Sequence, residues 1–340
     1  MKDLLTLPHR RAHGMCPVNG IRDLIQWRSG RDWSNQFVWG LGLGGGFAYL
    51  RFKAADPPRQ VYWGIAGPRQ HKYLAKLLNA NYIEVENRTF AFSWRKAQQA
   101  LDEGTPPVLG PLDMYHLHFY AGIYHQRHIP IHYVLLVGYD NEKAYVYDTG
   151  NEHVQEISLD ELELAWDVNV PGLGKRNRLV AFDLPDEFAP TNLLIRQSIS
   201  DQCQNMLKPP VSMVGIPAIR KVAREIAGWP DELGEDTANK CLRQVREYLN
   251  SPPDLTGDHL TAGRDLYTAF LEEAGEMAGM DFSRAVTHMK YSVELIPQLA
   301  EAISQMQLVN AAAIFSRIAD HETQAYTELN RLVGTAGLGA

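Results

Sequence analysis

The chain has 340 residues, 45% of them hydrophobic and 21% charged, with a formal net charge of -7 and an isoelectric point near 5.9. Enough apolar residues are present to build a core, which excludes a mostly disordered chain, and the acidic balance argues against a nucleic-acid partner. Cys16, Cys203 and Cys241 stand too far apart for a disulfide framework or a paired-cysteine zinc site.

In chain order, Val18, Ile21, Leu24 and Ile25 fall on one helix face. This sets Cys16 at the N-cap and Pro17 at the first helical position, where proline is favoured. The glycine-rich stretch 37–52, FVWGLGLGGGFAYLRF, lacks the GK[ST] ending of a phosphate loop and reads as a tight turn with close backbone packing. KYLAKLLNANYIEVEN reads as a short helix and a strand, and SWRKAQQALDEGTPPVLGPLDMY as a helix, a turn and a buried strand. In 132–150, HYVLLVGYDNEKAYVYDTG, two β-rich runs flank the polar turn Asp140–Lys143, a hairpin pattern. Helical periodicity then predicts helices near 192–207, 215–228, 236–250, 260–279 and 282–332, the last divided by Pro297. The proline-bearing stretch 182–194 is the expected linker, giving domains 1–188 and 189–340. The N-terminus shows no secretory signal and no apolar run reaches about 18 residues, so the expectation is a cytoplasmic protein with no membrane partner.

His132 opens the first strand of the hairpin and Asp148 closes the second, so pairing brings those ends together. An odd-length loop would also put them on one face; an even-length loop would not. A thiol at a helix N-terminus attacks as thiolate when an imidazole stands beside it and a carboxylate orients that imidazole. Cys16, His132 and Asp148 supply those parts and are the candidate catalytic residues. Each also has a plainer reading: a core thiol, a satisfied histidine, a turn aspartate. Cys203 and Cys241 lie on helical faces and read as packing residues. His9, His13, His116, His118, His125 and His128 are numerous, but their spacings match no zinc motif, so neither metal nor other cofactor is expected.

Four blocks, HGMCPVNGIRDLI, WGLGLGGGFAYL, PVLGPLDMYHLHF and HYVLLVGYDNEKAYVYD, resemble the N-terminal domain of the butirosin biosynthesis protein H family. GRDLYTAFLEEAGEM (263–277) resembles the helical domain of unknown function that often follows it. The resemblance implies an α+β fold: a papain-like cysteine peptidase-type N-terminal domain with a C-terminal α-helical domain. It further implies acyl transfer, with Cys16 as acyl-accepting nucleophile, His132 as general base and Asp148 orienting it, and with Asp113 and Tyr115 near the pocket. The family usually carries a Glu near the start of its glycine block, where this chain has Asn35; if that Glu reads a substrate amine, the acceptor differs here. Arg264 matches an arginine of the second domain. No glutamine stands just before Cys16 to serve as oxyanion donor, which leaves the Cys16 N–H with His13 or Asn19 for that role.

Three functions fit these residues. The first is an acyltransferase of natural-product biosynthesis that moves an acyl or aminoacyl group from an acyl carrier protein or coenzyme A thioester, through Cys16, to a small-molecule amine. The second is a cysteine peptidase or amidase with water as acceptor, and the third a binding protein on an inactive papain-like fold. Lys175, Arg176 and Arg178 form a candidate docking patch for an acidic carrier protein. The second domain either caps the cleft or is a bundle that stabilises a homodimer.

Overall fold

The computed structural model describes residues 4–12, 15–64, 67–249 and 260–335. The strands are β1 (Phe47–Arg51), β2 (Arg59–Trp63), β3 (Asn81–Val85), β4 (Val108–Leu112), β5 (His132–Tyr139), β6 (Lys143–Asp148), β7 (Gln155–Ser158) and β8 (Leu179–Asp183). The helices are α1 (Cys16–Ser29), α2 (Asn35–Leu41), α3 (Pro68–Leu77), α4 (Phe90–Asp102), α5 (Leu159–Trp166), α6 (Thr191–Leu207), α7 (Gly215–Glu225), α8 (Trp229–Leu233), α9 (Glu235–Glu247), α10 (Arg264–Ala278), α11 (Ser283–Ser304) and α12 (Leu308–Thr335). The α+β class is therefore as expected, with the main sheet in the N-terminal region and helices in the C-terminal region. None of the described helices is long and apolar enough to cross a membrane.

The chain forms two compact units that interleave in sequence: Met1–Val38 with Ala66–Ala189, and Trp39–Ile65 with Pro190–Ala340. The first is built on an antiparallel sheet in the order β3-β8-β4-β5-β6-β7. Its central strand, HYVLLVGY, is apolar on both faces and buried nearly throughout, as a strand covered on both sides must be. One core gathers Val134, Leu136, Val146, Trp94, Leu162 and Trp166. The apolar stripe of α1 packs on β5 as well, where Gly20 allows close approach: a Cβ there would fall 3.0 Å from the Leu135 Cβ and 3.3 Å from Val108.

The hairpin of β5 and β6 positions the site. Tyr139 pairs with Ala144 across the even-length loop 140–143, a register that would set Asp148 opposite Leu135 and away from His132. A bulge between Leu136 and Gly138 adds one residue to β5. Beyond it Leu136 pairs with Val146 and Val134 with Asp148, so His132, two residues from Val134, shares a face with Asp148.

In the second unit β1 and β2 pair only with each other among the named strands. The Gln244 amide acts as a short strand mimic on β2, accepting from the Val61 N–H and donating to the Val61 carbonyl, both at 2.8 Å. The glycine block packs closely, as expected: a Cβ on Gly40 would fall 2.1 Å from the Phe270 ring. The predicted break at Pro297 is not observed. Pro297 lies inside α11, and the chain breaks instead at Met306, in the left-handed region with φ 55°. There the N–H groups of Met306 and Gln307 donate to Ile303 and Ala302, a Schellman closure that satisfies the last carbonyls. A proline costs its own hydrogen bond and a kink, which long flanking apolar faces can carry.

Candidate active site

Cys16 is the first residue of α1; the N-cap is Met15, one residue earlier than the spacing predicted. Met15 is buried with φ 57°, an uncommon conformation for a residue with a side chain, and it turns the chain into the helix at the thiol. The start of α1 is braced from behind. The Pro17 carbonyl accepts a 2.7 Å bond from His71 Nε2, and His71 Nδ1 accepts from Arg178 at 3.3 Å. Burial and the Arg178 charge push the His71 pKa down to about 3, so the ring stays neutral and keeps both roles. Arg178 is itself fully buried and paired with Glu84 at 3.0 Å.

The structure brings Cys16, His132 and Asp148 together. His132 Nε2 donates to Asp148 Oδ1 at 2.5 Å, and the Cys16 thiol lies close enough to the same ring to act on its charge. The Cys16 Sγ also lies 3.8 Å from the Ile131 carbonyl oxygen. Burial alone would push the His132 pKa down. The charges of Cys16 and Asp148, with the hydrogen bond to Asp148, outweigh it and hold the ring at about 10. Asp148 is fully buried, which would raise its pKa, yet His132 and hydrogen bonds from His132, Asn151 and Tyr120 hold it below the usual carboxylate range.

Three donors fix Asp148 that sequence reading did not single out. The Tyr120 hydroxyl donates at 2.9 and 3.0 Å, the Gly150 N–H at 2.9 Å and the Asn151 amide at 2.7 Å. Burial and the Asp148 charge raise the Tyr120 pKa, keeping it a neutral phenol able to donate. Asn151 in turn accepts at its carbonyl from His9 Nε2 at 2.9 Å, while His9 Nδ1 binds Asp23 at 2.6 Å. Gly150 and Asn151 stand two and three residues after Asp148, so the turn after β6 was the available signal; Tyr120 and His9 come from distant segments and carried none.

The other candidates are placed differently. His13 lies outside the described residues. Asn19 is buried in α1, and its Oδ1 finds no partner among the described residues. Asn35 opens α2, also buried, and neither its amide oxygen nor its nitrogen is bonded among them. Asp113 organises the loop before β5, accepting from the N–H groups of Tyr115 and Ile129 and from His128 Nδ1 at 2.6 Å. Tyr115 stacks on His128 at 4.1 Å. Arg264 is fully buried in the second unit, bonded to Glu322 at 2.8 and 3.0 Å and to the Gly46 carbonyl, with the Trp63 ring 4.8 Å away. Of the basic cluster, Arg178 is buried and Arg176 is paired with Asp167; Lys175 alone stays exposed without a side-chain ion pair among the described residues. Cys203 and Cys241 are buried, and burial pushes both thiols up, Cys203 to about 12.

Fold and site together define an α+β protein in which a helix-initial cysteine lies beside a His–Asp pair on an antiparallel sheet. Residues 15–149 match the family model described as butirosin biosynthesis protein H, N-terminal, and residues 160–329 match that of a domain of unknown function, DUF4872. The chain belongs to this two-domain family of the butirosin biosynthesis protein H type. That membership marks it as a biosynthesis-related enzyme. No curated protein matches the chain.

Proposed function

We propose that the protein is a cysteine-dependent acyltransferase, which takes an acyl or aminoacyl group from a carrier-protein or coenzyme A thioester and delivers it to a small-molecule amine. The observation that carries this reading is one imidazole bonded to the buried Asp148 carboxylate, with the Cys16 thiol beside it at the start of α1. The Cys16 thiolate attacks the donor carbonyl, and the tetrahedral oxyanion collapses to expel the donor thiolate, which takes a proton from the His132 imidazolium. An acyl-Cys16 thioester remains, with His132 neutral. The acceptor amine attacks it, His132 takes the amine proton, and Cys16 leaves as thiolate with the amide formed. Asp148 keeps Nε2–H pointed at itself and steadies the imidazolium when it forms. In this reading the N–H of Cys16 and the amide of Asn19 serve as the oxyanion donors.

Intact mass measurement with a panel of acyl thioesters tests the reading. One acyl mass added to the wild type, absent from Cys16→Ala and discharged by amines faster than by water, is the expected result. Discharge by water alone would assign the same residues to a hydrolase. No adduct from any donor, with Cys16 alkylated by iodoacetamide no faster than an ordinary thiol, would overturn the reading.

A further inference from the structure

The loop from Asp113 to Ile131 joins β4 to β5 through one short 3-10 helix, Met114–His116, and turns, yet it delivers Tyr120 to Asp148. Asp113 ties its two ends through the N–H groups of Tyr115 and Ile129. The His125 N–H donates to the Tyr115 carbonyl at 2.9 Å, and His125 sits in the left-handed region with φ 55°. That fold turns His116 and His125 toward one carboxylate, Glu161, in the first turn of α5. His116 Nδ1 is 2.8 Å from Glu161 Oε2, and His125 Nε2 is 3.4 Å from Oε1. A ligand atom from each of the three lies within 4.8 Å of the other two. The ring of His125 stacks on Tyr124 at 3.9 Å, which restrains its orientation.

We propose that His116, His125 and Glu161 bind one divalent transition-metal ion of the zinc type, which clips the Tyr120-bearing loop to α5. Tetrahedral bonds of about 2.1 Å set ligand atoms roughly 3.4 Å apart, so the shell closes when the 2.8 Å His116–Glu161 pair opens slightly and His125 moves in. A lone His–Glu hydrogen bond would need only one of the two histidines. Two imidazoles and a carboxylate suit zinc, cobalt or nickel, whereas magnesium and calcium favour all-oxygen sets. The His125 side chain is 49% exposed, which leaves an entry path and a side for a fourth, water ligand. The spacing His-x8-His with a distant Glu matches no sequence motif, and the site exists only through the fold of the loop. It stands apart from the acyl chemistry proposed above and survives if that reading fails.

The test uses the full chain carrying Cys16→Ser, so that the thiol cannot take the metal. Titration with Zn²⁺ against a chromophoric chelator should show one equivalent bound, with a rise in the unfolding temperature. Co²⁺ should give the visible spectrum of nitrogen and oxygen ligation without a thiolate band. His125→Ala, on a half-exposed side chain, and Glu161→Gln should each weaken binding by at least about tenfold. Failure of the folded Cys16→Ser chain to bind one equivalent, or undiminished binding in either variant, overturns the proposal.

Discussion

At the scale of the residue, His132 is held between two partners of opposite kind, and its titration reports on both. Its pKa is raised from 6.5 to about 10, so the stability it contributes is fully present below pH 6.5 and is lost as pH rises toward 10. Asp148→Asn removes one of the charges that outweigh burial, and the ring should titrate lower. The expected outcome is a smaller loss of stability between neutral and alkaline pH than in the wild type, together with an alkaline limb of Cys16 alkylation moved to lower pH. Following the iodoacetamide rate and the urea midpoint across that range checks both; an unchanged alkaline limb would mean Asp148 does not set the His132 charge. His71 works in the opposite direction. Its pKa lies near 3, so the folded state resists its protonation, and stability is lost as pH falls below 6.5.

At the scale of the element, α1 and β5 carry Cys16 and His132, and the two elements approach closely where Gly20 meets Leu135. Gly20→Val would place methyl groups where even a Cβ is crowded. Overpacking of this kind costs about 1–3 kcal/mol, and here it should also lift the start of α1 from His132. Denaturant midpoints and the Cys16 alkylation rate should both fall; a stability loss with an unchanged alkylation rate would show that the helix start is held by His71 and Pro17 alone. The hairpin shows the limit of reading an element from sequence. Its two strands and turn are visible in β-rich runs, but the face shared by His132 and Asp148 depends on one bulged residue near Val137, whose one local mark is the adjacent Gly138 and which no pattern places in register. The helix break shows the same limit: Pro297 is the conspicuous breaker, yet the terminus forms at Met306, where the backbone turns left-handed and closes on Ile303 and Ala302.

At the scale of the whole molecule, the second unit takes Trp39–Ile65 from the N-terminal part of the chain. Arg264 of α10 ties that segment to α12, bonding the Gly46 carbonyl and Glu322 and lying over Trp63. Arg264→Ala leaves Glu322 as an unpaired buried charge, and breaking a buried pair in this way costs about 3–5 kcal/mol. Urea denaturation should show that loss, and adding Glu322→Gln should recover part of it. A loss below about 1 kcal/mol would mean the pair is open to water, since exposed pairs contribute no more than that.

The α+β class came through the family resemblance; the sequence by itself determined the helix beginning at a Cys–Pro pair, the amphipathic helices of the C-terminal half, the hairpin of residues 132–148 and the packing character of Cys203 and Cys241. These follow from periodicity, capping preference and turn chemistry, which act over a few residues and so are written locally. Only the tertiary structure decided that a bulge turns Asp148 toward His132, that Tyr120 and Asn151 satisfy its carboxylate, that Arg178 is a buried brace, and that His116, His125 and Glu161 meet. Those depend on strand register and on contacts between segments far apart in the chain, where one inserted residue or one long-range packing choice reverses the outcome without altering any local pattern.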